Sequence, residues 1–237
     1  MILKSTKKRL RSFEEEYFTE VYVDREKEGS VIFRYHLKKI FEKAPQAQNI
    51  LDIGCAYGQF LALCDQKGLT TYGMDVSVYA VEQARKQTQA KLAVFDASQA
   101  PWPYQAHSFD IVTIFDVIEH VKDASFLLSE AYRVLRPGGW VYATTPNNQG
   151  RLGKFLERFM PDDPTHINKK NASGWKKELS KVGFSHIDIQ GIIFHGLPPS
   201  PKFRAFLERY KIPTTVSPIT FPLKLFTGTL FIFGRKP

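Results

Sequence analysis

Between residues 49 and 146, strand-like and helix-like segments alternate, and this alternation leaves an α/β domain with a mainly parallel sheet as the available architecture. NILDIG ends the first strand at Gly54, and a helical stretch follows from Gly58 to Lys67. TTYGMD (70–75) is the second strand. Ser77 then offers its hydroxyl as N-cap to a helix running from Val78 to about Gln89. KLAVFD (91–96) is the third strand and FDIVTIFD (109–116) the fourth; Ile111, Val112, Ile114 and Phe115 make it apolar on both faces, as a central parallel strand requires. Asp123 begins a helix that RPGG is expected to end, and WVYATTP follows as the fifth strand.

Residues 147–171 make a long irregular connection, the kind that builds a lid or a substrate wall. A helix from about Ala172 to Val182 and strands near His186–Phe194 and Leu225–Phe233 close the domain, with a Pro-rich insertion at about 195–224. Upstream, residues 13–43 read as helical with Val31, Tyr35, Leu37, Ile40 and Phe41 on one face. The organisation expected is therefore an N-terminal helical cap (1–44) and a main domain (45–237).

Each of the first three strands carries an aspartate at its C-terminal end: Asp52, then Asp75 23 positions on, then Asp96 another 21 on. In an open α/β sheet ligands bind beyond the carboxyl ends of the strands. Three carboxylates there can meet an ammonium, a ribose diol and an exocyclic amine, while Gly54 and Gly58 allow a tight turn against the ligand. A nicotinamide-binding fold also sets an acid about 20 residues after a glycine turn. Its fingerprint, aligned on Gly54, requires glycines where this chain has Ala56 and Gln59.

LDIGCAYGQF resembles the DxGxGxG motif of class I S-adenosylmethionine-dependent methyltransferases. MDVS, FDAS, FDVIEHV, EAYRVLRPGGWVYATTPN and THINKKNASGWKKELSKVGF resemble their later motifs in the same order. The resemblance spans about residues 45–194 and the last strand, and it is closest to the small-molecule type, such as quinone-biosynthesis O-methyltransferases. It implies a Rossmann-like sheet of seven strands in the order 3-2-1-4-5-7-6, strand seven antiparallel, with helices on both faces. It implies S-adenosyl-L-methionine as cofactor. Asp52 and the Gly54–Ala56–Gly58 loop would hold the methionine part, Asp75 with Val76 the ribose, Asp96 with Ala97 the adenine, and Phe115 would line the cleft. Ala56 departs from the family's glycine, at a cost of about 1 kcal/mol if that residue must adopt a positive φ.

Methyl transfer is an in-line displacement in which positioning does much of the work, and a base is needed only for a protonated, weakly nucleophilic acceptor. His120, just after the fourth strand, and His166, in the long connection, are the catalytic candidates. No metal is expected; were one bound, Asp116, Glu119 and His120, spaced i, i+3, i+4, would be its ligands, since quinone O-methyltransferases carry a similar acid-x-x-Glu-His pattern and use a divalent cation.

Charge bears on the acceptor. Residues 46–150 hold 7 Lys/Arg against 10 Asp/Glu, whereas residues 151–237 hold 15 against 6, so the positive field belongs to the last third. There Phe203, Phe206, Leu207 and Tyr210 follow helical spacing among Lys202, Arg204, Arg209 and Lys211, a basic amphipathic pattern suited to an anionic amphiphile or a membrane surface. The expected acceptor is thus a small molecule, anionic or linked to a lipid or glycan, methylated on oxygen, with peripheral membrane contact in reach. An RNA methyltransferase and a non-catalytic cofactor-binding relative are the alternatives; nucleic acid is not the expected partner, because no RNA-binding module accompanies the fold. Cys55 and Cys64 form no metal or disulfide pattern, and the start lacks the apolar run of a signal peptide, so a cytoplasmic setting is expected.

Overall fold

A computed structural model describes residues 26–147, 165–195, 217–221 and 229–237. The basic amphipathic stretch 202–211 and residues 1–25 lie outside them. The described elements are α1 (Glu26–Lys43), β1 (Asn49–Ile53), α2 (Gln59–Asp65), β2 (Thr70–Asp75), α3 (Val78–Ala84), β3 (Lys91–Val94), β4 (Phe109–Phe115), α4 (Ala124–Val134), β5 (Leu135–Pro146), α5 (Ala172–Val182), β6 (Ser185–His195), β7 (Ser217–Phe221) and β8 (Thr229–Arg235).

The strands form one sheet in the order β3-β2-β1-β4-β5-β8-β6-β7. The first five neighbours are parallel; β8 runs antiparallel between β5 and β6. This is the seven-strand arrangement expected, with one further edge strand, β7, drawn from the Pro-rich insertion and paired antiparallel to β6.

The period of two along the strands sorts side chains onto two faces. Leu51, Ile53, Val112, Ile114, Val141 and Ala143 pack under α4 and α5 with Leu127, Leu128, Ala131, Trp175 and Leu179. Ile50, Ile111, Tyr142, Phe231 and Phe233 pack on the other face with Leu37 and Ile40 of α1 and Phe60, Leu63 and Cys64 of α2. The upstream helix therefore rests on the sheet, while Phe33 extends its contact to Phe60 and to Phe115 at the end of β4. Trp102 and Trp175 are core residues.

Helix starts follow the capping residues in the sequence. Ser77 accepts from the Ala80 N–H, Asp123 from Phe126 and Asn171 from Gly174. Two ends differ from expectation. α3 stops at Ala84 rather than near Gln89, because the Thr88 hydroxyl and the Gln89 N–H both donate to the Asp65 carboxylate, drawing the chain off the helix axis. RPGG is not a turn outside the sheet: β5 begins at Leu135 and carries those residues as an irregularity, its register shifting between Phe109 and Ile111 of β4, with Gly138 at φ 82°. No helix among the described residues is long and apolar enough to cross a membrane.

Candidate active site

The loop leaving β1 is held against β2, where the N–H groups of Gly54 and Cys55 both donate to the Met74 carbonyl at 2.8 and 3.1 Å. Gly54 and Gly58 have φ of 72° and 75°. Space demands glycine as well. A Cβ on Gly54 would stand 2.3 Å from Val117 Cγ2, and one on Gly58 2.9 Å from Thr88 Cγ2. Ala56, between them, is forced to φ 46°, a left-handed conformation that costs an L-residue about 1 kcal/mol.

Asp52 lies within β1, 2% exposed, and accepts the Thr113 hydroxyl of β4 at 2.7 Å. Burial pushes its carboxyl up to about 7, against the lowering effect of that hydrogen bond. Asp75 ends β2, 7% exposed; one carboxylate oxygen accepts the Ala56 N–H at 3.0 Å and the other the Ser77 N–H at 2.9 Å. Its pKa is also raised, because desolvation outweighs those bonds. Val76 follows, half-buried. Asp96 accepts both the N–H and the hydroxyl of Ser98, at 2.9 and 2.7 Å, and the Ala97 carbonyl takes the Trp102 indole N–H at 3.1 Å. Phe115 is half-buried, edge-on to Phe60 at 4.7 Å between ring centres. Thus Asp52, Gly54, Ala56, Gly58, Asp75, Val76, Asp96, Ala97 and Phe115 lie at the carboxyl ends of four adjacent strands.

Beyond β4 the expected helical turn is absent. Residues 117–120 form a turn closed by the His120 N–H on the Val117 carbonyl at 2.9 Å. Asp116, at φ 50°, is tied to β5: its N–H donates to the Thr144 carbonyl, and the Thr144 hydroxyl donates to its carboxylate at 3.0 Å. The group that converges is instead Glu119, His120 and His166, whose ligating atoms lie within 4.8 Å of one another. The two imidazoles meet edge to face, 4.8 Å between centres. His120 Nδ1 donates to the Thr165 carbonyl at 3.2 Å. The Asn168 N–H donates to the Glu119 carbonyl and its side-chain amide to the Val121 carbonyl, so residues 165–168 are clamped onto the turn.

Sequence reasoning missed Thr113, although its register opposite Asp52 is fixed once β1 and β4 are paired. Another residue not singled out from the sequence is His36, whose ring is buried, hydrogen-bonded to the Tyr142 hydroxyl at 2.7 Å and held neutral by desolvation, its pKa lowered to about 3.

A family model described as a methyltransferase domain matches residues 26–189. A probable S-adenosylmethionine-dependent methyltransferase of Mycolicibacterium smegmatis is 32% identical over 149 residues, covering 63% of this chain and 56% of that protein. A ubiquinone biosynthesis O-methyltransferase of Thiobacillus denitrificans is 31% identical over 120 residues, covering 48% and 52%. The chain thus spans little more than half the length of these curated relatives. The crystal structure of a SAM-dependent methyltransferase from Archaeoglobus fulgidus shares the fold at a TM-score of 0.65 and 18% identity, over 89% of this chain and 94% of that one.

Proposed function

The chain belongs to the methyltransferase-domain family, and from that membership we propose that it is an S-adenosylmethionine-dependent methyltransferase that methylates an oxygen of a small-molecule acceptor. The observation that carries the reading is the cradle at the strand ends. Gly54 and Gly58 leave no room for a Cβ, and the Ala56 and Ser77 N–H groups orient the buried Asp75 carboxylate at its rim.

The residues present fit the cofactor. Asp52 and Asp75 are buried carboxylates whose raised pKa values mark sites where an ammonium and ribose hydroxyls favour ionisation. Asp75 with Val76 would hold the ribose, Asp96 with Ala97 the adenine, the Gly54–Gly58 loop and Asp52 the methionine part, and Phe115 would line the cleft. When bound, S-adenosylmethionine supplies an electrophilic methyl on a sulfonium, open to in-line attack by an acceptor lone pair.

His120 and His166 act on the acceptor. The Thr165 carbonyl can only accept, so Nδ1 of neutral His120 carries the proton and Nε2 the lone pair, the form that can draw on a hydroxyl proton. The resemblance to quinone O-methyltransferases and the positive charge of residues 151–237 support an anionic or lipid- or glycan-linked acceptor bearing a hydroxyl.

The test is turnover with methyl-labelled S-adenosylmethionine against a panel of phenolic and carboxylated hydroxyl compounds, amines and bulk tRNA. Label in an oxygen-methylated product is expected. Transfer to amines alone or to tRNA alone would replace the oxygen reading, and cofactor binding with no transfer to any acceptor would make the chain a non-catalytic relative.

A further inference from the structure

Glu119, His120 and His166 bring one carboxylate and two imidazoles together from segments more than 40 residues apart. We propose that these three side chains bind a single first-row divalent transition-metal ion of the zinc type, leaving coordination positions open toward the acceptor. Their ligating atoms already lie within 4.8 Å of one another. Ligand bonds of roughly 2.0–2.2 Å place neighbouring donors roughly 3.4 Å apart in a tetrahedral shell, a contraction that small side-chain rotations supply. Two nitrogens and one oxygen suit zinc, iron or cobalt, whereas magnesium and calcium select all-oxygen sets.

The surroundings are those of a built site. A ligating imidazole is oriented by the acceptor that its other ring nitrogen serves, and the Thr165 carbonyl fills that role for His120, assigning the lone pair to Nε2. Asn168 fastens the two ligand-bearing segments through the carbonyls of Glu119 and Val121, at 2.9 and 3.3 Å. Glu119 is 2% exposed, and a cation beside it offsets the desolvation of its charge. Three protein ligands with an open position are the pattern of catalytic rather than structural zinc. Asp116, the third ligand the sequence pattern offers, is engaged with Thr144 and is not among the converging groups.

What the ion does rests on the acceptor reading above, with the action of His120 and His166 on the acceptor exerted through the ion they hold: an acceptor hydroxyl near it ionises more readily, its proton going to solvent. That the ion binds does not rest on that reading.

The experiment uses the 237-residue, untagged chain, stripped with chelator and titrated with Co2+. One Co2+ per chain is expected, with visible ligand-field bands that Zn2+ abolishes by displacement and excess Mg2+ leaves unchanged. His120→Ala and His166→Ala should each lower affinity by about 100-fold or more, since changes outside the ligand shell alone cost about 10–100-fold; Asp116→Asn should leave it unchanged. Far-UV circular dichroism checks that the variants fold, and zinc-edge X-ray absorption of the wild type, showing imidazole scattering, needs no variant. No bound Co2+, no imidazole scattering, or equal losses in Asp116→Asn and His166→Ala would overturn the site. Turnover persisting in chelator with no cobalt bound would do the same while leaving the acceptor reading in place; metal binding without turnover would do the reverse.

Discussion

The two sides of the site are built in different ways. Asp52 and Asp75 sit on β1 and β2 and Asp96 two residues past β3, and the bonds that orient Asp75 come from Ala56 and Ser77, no more than 19 residues away. Beyond β4, the His120 ring is oriented by a carbonyl 45 residues further along the chain, and its companion His166 arrives on that same distant segment. A ligand-binding surface assembled from consecutive βα units is fixed by the fold itself. A reactive group assembled across a long connection can change with that connection while the fold and cofactor loop stay the same. On this account the first side is set by consecutive βα units of the fold, and the second by how residues 165–168 dock onto the turn after β4.

If the sides are separable, variants should divide cleanly. The largest effect is expected from His120→Ala, which should lower turnover by about 100-fold or more while leaving S-adenosylhomocysteine affinity, read by calorimetry, within about twofold. A parallel collapse of both would break the division.

Asp52 gives the next largest effect, and its sign is opposite for stability and for binding. Its folded pKa, about 7, is raised above the ordinary 3.8. The stability tied to it is therefore fully present below about pH 4 and is lost as pH rises through 7. In Asp52→Asn that loss disappears, so the ligand-free variant should gain on the wild type between about pH 4 and 7, by at most about 4 kcal/mol, while binding S-adenosylhomocysteine more weakly. Thermal melting of both proteins across that pH range reads the difference. A difference that is flat with pH would contradict the burial of an ionisable Asp52.

Asp75→Ala should weaken S-adenosylhomocysteine binding by roughly 1–3 kcal/mol, the value of charged hydrogen bonds lost from a buried site. His120→Ala and Asp75→Ala thus report on opposite sides. The smallest effect belongs to Ala56→Gly. Relief of the left-handed alanine should stabilise the loop by up to about 1 kcal/mol, seen as a small rise in melting temperature with no change in turnover; a fall would mean that the positive φ carries no strain.

The same division describes what was legible in the sequence. Ser77, Asp123 and Asn171 cap their helices through bonds that reach only three residues, and the strand-end aspartates repeat at the length of a βα unit, so both could be read from spacing. The early end of α3 could not, because Asp65, which draws off Thr88 and Gln89, is on another helix. RPGG read as a turn because its residues carry turn chemistry, yet β5 pairs with β4 on either side of it, at Leu135 and Trp140, and Gly138 and Gly139 bond to the Lys236 backbone, which keeps it in the sheet. Edge strand β7 hides in a Pro-rich stretch whose composition argues against a strand. At the site, Asp116 was grouped with Glu119 and His120 by an i, i+3, i+4 spacing that holds only on a helix. The chain forms a turn there, and His166 takes that place through a contact that local spacing does not encode.

The central claim, that the ends of β1 to β3 form an S-adenosylmethionine site, is tested most directly by calorimetry of the unmodified chain with S-adenosylhomocysteine and, separately, with NADH. The account predicts one S-adenosylhomocysteine per chain, an affinity that strengthens from pH 6 to pH 8 as Asp52 gives up its proton, and no heat from NADH. Binding of NADH, with neither S-adenosylmethionine nor S-adenosylhomocysteine bound at millimolar concentration, would contradict it.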